Sequence, residues 1–404
     1  MTPISISKKR ESNSTSSLIM NYQGFRPFFI GAALASVSSM LFWLLVLSGA
    51  HSPALATLSP SQWHGHEMVF GYTFAVIAGF LLTAVGSWTG VVPAKGITLL
   101  LPFVPWCIAR GAWLAGERFF ALAALADCIF GCVLVGLLLR SVVVTKTWKQ
   151  VGVISKVTLL TACNFLFYLS LFEVIADYRS SLLLVATYVI VALILTIGFR
   201  VLPSYVQNTL DLEPLPQDRH EFTYSIATLI LFVALLFNKL LFSAELMSSL
   251  LSCGLFIVTT LRLSKIFYYR IYTKPLLWGL YAALVSIDLG FLIEGISPWY
   301  KPLPNLSLHY FAVGGIGLST FSMMARVVLG HTGRSVFTPP ALLSFNFVLV
   351  VLALIFRVIV PAIIPSAYLL SLQVALILWI SASLGFLFIF GKSLLLPRVD
   401  RRKD

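Results

Sequence analysis

Charge is what this sequence has least of. Only 11% of its 404 residues are Asp, Glu, Lys or Arg, while 59% are hydrophobic, against roughly a quarter charged and under half apolar in a soluble globular domain. With a mean hydropathy of +0.94, too little polar surface exists to cover a water-soluble fold of this size. Segments alternating polar and apolar residues are also missing, which excludes a membrane β-barrel. Long hydrophilic linkers are missing too. The longest internal polar stretch is near QNTLDLEPLPQDRHEF, so the chain reads as one integral membrane domain. Cysteine is sparse, and Cys107, Cys128, Cys132, Cys163 and Cys253 all fall inside apolar runs without a CxxC pair. Cys128 and Cys132, one helical turn apart, read as packing residues rather than ligands, and a disulfide framework is not indicated.

What is present is a series of long apolar runs. A helix rising 1.5 Å per residue crosses a bilayer core of about 30 Å in about 20 residues, and twelve runs of that order occur: 27–49, 64–87, 96–115, 119–140, 152–174, 181–205, 221–241, 247–268, 275–297, 306–328, 341–361 and 367–391. The expected fold is an all-α polytopic membrane protein of about 12 transmembrane helices. Residues 1–24, Ser-rich and basic without an apolar signal-peptide core, read as a disordered cytoplasmic tail. Residues 25–393 form the transmembrane domain, and 394–404 form a short basic cytoplasmic tail.

The net charge of +13 raises the question of nucleic acid, and the distribution of the charge answers it. With the amino terminus inside, the inner segments hold 22 Lys and Arg, whereas the outer loops hold only Arg118, Arg179, Lys239 and Lys301. That bias follows the positive-inside rule and places both termini in the cytoplasm. Topology accounts for the basic balance, and no nucleic-acid partner is needed.

Six histidines remain. His51 in the first outer loop and His220 in an inner loop read as solvated surface residues. His64 and His66, in WHGHEMVFG, open the second run, and His309 opens the tenth, so these three share the periplasmic face. His331 lies 22 residues beyond His309, about 33 Å along a helix and therefore at the cytoplasmic face. Neutral imidazole suits iron, copper and zinc, and the Met68 sulfur would favour Cu(I). An interfacial helix cap, with Trp63 in the aromatic belt and the histidines bonded to water, explains the same residues.

Ionisable groups inside the runs are few. Arg110 and Asp127 lie at comparable depth on consecutive antiparallel helices and read as an ion pair. Glu294 and Arg357 are expected to pair in the same way. Asp288, near the middle of the ninth run, has no evident partner and is a candidate for proton handling or a structural hydrogen bond. At the inner end of the tenth run, MMARVVLGHTGRS, Arg326 and Arg334 read either as positive-inside anchors or as a clamp for a carboxylate such as a haem propionate. Weaker echoes, GFRVLPSYVQN and VGSWTGV, end the sixth and second runs, a spacing of four helices that suggests a threefold repeat.

FRPFF at 25–29, WHGHEMVFGYTFAVIAGFLLTAVGSWTG at 63–90, WCIARGAWL at 106–114 and RVVLGHTGR at 326–334 resemble the signatures of the NnrS family. These are bacterial inner-membrane proteins associated with denitrification and nitric oxide stress and described as containing haem and copper. The resemblance implies an inner-membrane location, haem as cofactor with copper a second candidate, and nitric oxide or a metal-nitrosyl species as partner. It carries the characteristic histidines onto His64, His66, His309 and His331. Tyr168 and Tyr281 stand where histidine is expected in the family, and Gly86-Ser87 where Pro-Asn is. His66 and His309 would reach one haem from opposite faces, with His64 left for copper or a propionate, Met68 as a further metal donor and Glu67 orienting the cluster. Gly71, Gly79 and the run from Gly314 to Gly317 are expected to let the second and tenth helices approach. The alternative is a twelve-helix secondary transporter without haem. An oxidase or nitric oxide reductase would keep histidines inside the sixth, seventh and tenth helices, whereas here the sixth and tenth have none in their interiors and His220 merely precedes the seventh, so no catalytic metal site of that kind is recognisable and enzymatic activity stays open.

Overall fold

In hydrocarbon every backbone N–H and C=O must be bonded within its own segment, so continuous apolar sequence folds as helix. The structure, a computed structural model, describes residues 23–49, 57–213, 220–299 and 306–400. Twelve helices among them are long and apolar enough to cross a membrane: α1 (Phe25–Leu47), α2 (Pro60–Thr89), α3 (Gly96–Ala115), α4 (Glu117–Thr145), α5 (Trp148–Leu171), α6 (Arg179–Leu210), α7 (Glu221–Phe242), α8 (Glu245–Ile266), α9 (Pro275–Ile296), α10 (Leu306–His331), α11 (Leu342–Ile363) and α12 (Pro365–Leu395). No strand occurs among the described residues. The twelve expected runs are all present, and the chief difference is length, because α2, α4, α6 and α12 continue past the apolar stretch into polar ends. His51 and the tail residues 1–22 and 401–404 lie outside the described residues.

Burial sorts the helices into a centre and a periphery. The central stretches of α2, α6 and α10 are 83%, 78% and 78% buried, and α9 follows at 67%, while no other helix exceeds 44%. The three most buried helices touch one another and are four apart in sequence, which fits the suggested repeat. Lipid-facing helices keep exposed leucine, isoleucine and phenylalanine, as Leu122, Ile230 and Phe388 show. In a bilayer such residues need no further cover.

The first and last helices meet at one face. Arg26 Nη1 donates to the carbonyls of Ser393 (3.2 Å), Leu394 (3.1 Å) and Leu396 (2.6 Å), satisfying oxygens that the C-terminus of α12 leaves without helical partners. Trp379 Nε1 donates to Ser36 Oγ at 2.8 Å, tying the same pair deeper in. The face holding Arg26 and the end of α12 is called the terminal face below, and its opposite the loop face.

The glycines act differently from expectation. A Cβ on Gly79 would sit 2.9 Å from Phe28 and Phe29 of α1, and one on Gly317 would sit 2.7 Å from Trp379 of α12. Gly314 and Gly315 face Ser286 and Ile287 of α9. These positions therefore seat neighbours other than each other's helix. What joins α2 to α10 is the bond between Tyr72 Oη and Thr320 Oγ1, 2.8 Å long.

Candidate functional site

The start of α2 is specified locally. Ser59 takes the N-cap position, its Oγ accepting from Gln62 N at 3.2 Å, while Ser59 N donates to Gln62 Oε1 at 3.1 Å. With Pro60 at the first helical position, this capping box fixes where the helix begins. His64 and His66 consequently fall in its second turn. Directly after His66 the helix widens into a π-helical segment, Glu67–Thr73. Thr73 Oγ1 donates to the Met68 carbonyl at 2.8 Å, supplying a partner where the wider turn loosens the ladder. The same device recurs in α10, where the π-helical segment Tyr310–Gly317 follows His309. Inserted π-turns are rare and concentrate at functional sites.

Around His66 lies a continuous buried polar network. Its Nδ1 is 3.2 Å from Glu67 Oε1 and its Nε2 is 3.0 Å from Asn164 Oδ1 of α5. Arg110 of α3 donates through Nη1 to Glu67, and through Nη2 to both oxygens of Asp127 on α4, at 2.6 and 2.5 Å. Tyr168 Oη donates to Asp127 Oδ2 at 2.7 Å and accepts from Trp113 Nε1 at 2.6 Å. Gly71 makes this possible: a Cβ there would meet Arg110 Nη1 at 2.9 Å and Glu67 Oε2 at 3.2 Å. Trp106, one turn before Arg110, donates to the Gly71 carbonyl at 3.0 Å. Helices α3, α4 and α5 are thus bound to α2 or to each other through one guanidinium and two carboxylates.

The His66 ring is fully enclosed. It stacks on Trp113 with centroids 4.1 Å apart, and Phe167 covers it from 4.8 Å. To present a lone pair to an iron, it would have to give up Glu67 or Asn164. His64 is different. Its ring lies flat on Trp43, 4.8 Å away and inclined by 13°, and its Nδ1 is buried with no hydrogen-bond partner in the structure. Met68 is partly buried against the same core. His309 ends the short α-helical turn Leu306–His309 at the same loop face. His331 lies at the terminal face, its ring 5.8 Å from Phe25 and its carbonyl accepting from Arg398 Nη1 at 3.2 Å. Arg326 lies over the Tyr205 ring at 3.6 Å, and Arg334 turns back on its own loop, its N donating to the Leu329 carbonyl at 2.9 Å. The structure therefore divides the four histidines three to one by face. Arg326 and Arg334 have different neighbours there, the Tyr205 ring and the Thr332 carbonyl.

Two other buried carboxylates depart from expectation. Glu294 pairs with Lys239 of α7 and accepts from Tyr188 Oη of α6, not with Arg357. Asp288 accepts from the hydroxyls of Thr259 and Thr260 on α8, the latter at 2.7 Å, so it carries structural hydrogen bonds between α8 and α9. Tyr168 belongs to the His66 network, while Tyr281 reaches only the Leu263 carbonyl, at 3.4 Å. His220 caps α7 beside Tyr224. Among the described residues no group of three or more His, Cys, Asp or Glu is arranged to hold a metal ion.

Between α2, α6 and α10, at mid-depth, a small cavity of about 60 Å³ is lined by Val76, Phe80, Leu193, Ile197 and Met323. Its wall is almost wholly apolar.

Taken together these features define a class: a twelve-helix integral membrane protein with a histidine-bearing loop face and a buried histidine, carboxylate and guanidinium network beneath it. The NnrS protein family model matches residues 20–398, and the chain belongs to that family. Membership makes it a membrane protein related to nitric oxide stress, in a family associated with haem and copper, and lends the transporter alternative no support. No curated protein matches the chain.

Proposed function

We propose that this protein binds haem at its loop face and protects against, or responds to, nitric oxide in the bacterial inner membrane, in cells linked to denitrification. The observation that carries the reading is the repeated placement of a histidine immediately before a π-helical segment, His66 in α2 and His309 in α10, on two central helices that touch. Haem iron, when bound, would supply a metal centre able to take nitric oxide as a ligand.

The residues present fit such a group unevenly. His309 and the partnerless Nδ1 of His64 are the donors proposed for the iron, with Met68 and His64 as the set that would serve copper. His66 is proposed as a positioning residue: held by Glu67 and Asn164, it fixes the turn from which His64 projects. His331, with Arg326 and Arg334, is proposed as a separate element at the cytoplasmic face. The apolar cavity supports the reading, since about 60 Å³ exceeds one water's share of roughly 30 Å³ and offers few polar partners, which suits a diatomic gas.

Absorption spectra of the purified protein, oxidised and reduced, test this. A Soret band is expected, with His309→Ala or His64→Phe abolishing or shifting it and His220→Ala leaving it unchanged. His331→Ala should keep the band and impair survival under nitric oxide. Well-folded protein from haem-sufficient cells without any haem absorbance would overturn the proposal.

A further inference from the structure

A second hollow lies on the lipid side of the molecule and is of another scale than the small cavity between α2, α6 and α10. A groove of about 810 Å³ runs between α1, α3 and the end of α12, walled by Ile30, Leu34, Leu41, Leu100, Phe103 and Leu394. Leu34, Leu41 and Leu100 are exposed, so it opens sideways into the bilayer. Its volume falls within the range of about 300–1,000 Å³ that small-molecule sites occupy, and such sites combine apolar and aromatic walls with a few placed polar groups.

This groove has an aromatic part and a polar end. Phe103 and Trp106 of α3 stack with ring centroids 5.7 Å apart, and Gly31 of α1 admits them, since a Cβ there would lie 2.8 Å from Trp106 and 3.2 Å from Phe103. One turn further along α3, Arg110 also lines the groove. Its two Nη atoms are taken by Glu67 and Asp127, whereas its Nε is buried with no hydrogen-bond partner among the described residues. A buried donor without an acceptor is costly, and an acceptor oxygen brought in through the groove would relieve it.

Depth and charge narrow the occupant. α3 spans Gly96–Ala115, about 30 Å and so the thickness of the hydrocarbon core, which puts Arg110 roughly 7 Å inside its loop-face end. A phospholipid head stays at the interface, above that level. The guanidinium already faces two carboxylates, so an anionic head would be repelled. What fits is an uncharged acceptor soluble in hydrocarbon, and a carbonyl answers that description. The stacked aromatic pair favours a carbonyl carried on a planar ring.

We propose that this groove is a binding site for a neutral amphiphile of the quinone class, its ring carbonyl accepting from Arg110 Nε and its apolar tail lying along α1 and α3. From Arg110 back to Gly96 the groove offers about 21 Å along α3 for the tail. None of the donors proposed for iron or copper lines it, so the site stands whether or not haem binds.

The test is photolabelling of the protein in phosphatidylcholine nanodiscs with an azido-substituted decyl benzoquinone, the modified residues being mapped by mass spectrometry. Labelling is expected within residues 30–41 and 100–107, competed by unlabelled decyl benzoquinone and not by decylbenzene, which lacks the carbonyl, or by palmitate, which is charged. Arg110→Lys keeps a cation between the carboxylates and deletes the Nε donor, and should weaken competition at least about tenfold, as for one hydrogen bond to a charged group. Leu34→Trp fills the groove from an exposed position and should abolish the competed labelling, which reads the site independently if Arg110→Lys does not fold. Phe388→Trp, exposed on α12 away from the groove lining, should change nothing. Labelling scattered over the lipid-facing helices, equal competition by decylbenzene, or unchanged labelling of Leu34→Trp would overturn the proposal and leave the groove to ordinary acyl chains. Equal competition by palmitate would overturn the neutral-carbonyl assignment.

Discussion

The surroundings of Arg110 in α3, Lys239 in α7 and Arg357 in α11 make up three sectors, and the first and third treat a cation inside a helix in opposite ways. Around α2 to α5, Arg110 is enclosed with Glu67, Asp127, Tyr168 and His66, and within that network the only buried side-chain polar atom without a partner is the Arg110 Nε. Around α10 and α11, Arg357 has no counter-ion among the described residues. A closed network fixes helix positions, because each member is over-determined by the others. An open one leaves free energy to be gained by binding. The stability of the fold should therefore reside more in the first sector than in the third.

The sharpest break of that comparison is Arg110→Met. It removes the only cation between two buried carboxylates, and leaving buried charges uncompensated typically costs about 3–5 kcal/mol. Loss of monodisperse protein on size exclusion, or a large fall in the thermal midpoint, is expected. If Arg110→Met were as stable as the parent, the first sector would not be the structural one. Tyr168→Phe is the milder form. It deletes the hydroxyl bridging Trp113 and Asp127 and should cost about 1–3 kcal/mol by denaturant titration.

How much of this was legible in the sequence follows from what a sequence encodes about membrane helices. Depth is legible, because rise per residue is fixed. That is why Arg110 and Asp127, on consecutive helices at one level, are found paired. Azimuth and neighbourhood are not. Lys239 and Arg357 lie at similar depths, so nothing in the spacing says which of them faces Glu294, and packing of α7 beside α9 decides for Lys239. The partners of Asp288 escaped for another reason: threonine hydroxyls are common in apolar helices and give no signal. The glycines misled similarly, since a missing side chain shows that something approaches but not what. The π-helical segments had no sequence mark, although each of the two large ones follows a histidine already singled out.

Lys239 and Arg357 allow the second and third sectors to be compared directly. Lys239→Met strands Glu294, which is 7% exposed, and should lower stability by about 1–3 kcal/mol. Adding Glu294→Gln should recover part of that loss, as expected for coupled partners. Arg357→Met strands no carboxylate and should cost less than about 1 kcal/mol, or raise stability by removing a charge that lacks a partner. A loss for Arg357→Met equal to that for Lys239→Met would mean that a protein group neutralises it, and the third sector would no longer be open.

The smallest effect is expected where a salt bridge of good geometry stands in water. Asp177, in the loop between α5 and α6, accepts from Arg179 Nε at 2.7 Å and Nη2 at 2.8 Å, a two-point contact much like that of Arg110 with Asp127. The Arg179 guanidinium holds the Asp177 carboxyl down to about 2. With the folded value depressed below the ordinary aspartate value of about 3.9, whatever stability the pair contributes is present above pH 4 or so and is lost as the pH falls through about 2. The Asp177 side chain is 59% exposed, however, so solvent screens the pair, and Arg179 keeps its bond to the Thr57 carbonyl without it. Asp177→Asn should shift stability by under about 0.5 kcal/mol at neutral pH, with the difference vanishing in molar salt. Thermal midpoints of Asp177→Asn and Asp127→Asn measured side by side make the decisive pairing, because both lose a carboxylate charge facing an arginine and only burial differs. Comparable losses in the two variants would show that enclosure by α3, α4 and α5 adds nothing to the Arg110 network, and the division between a closed first sector and an open third would have no energetic basis.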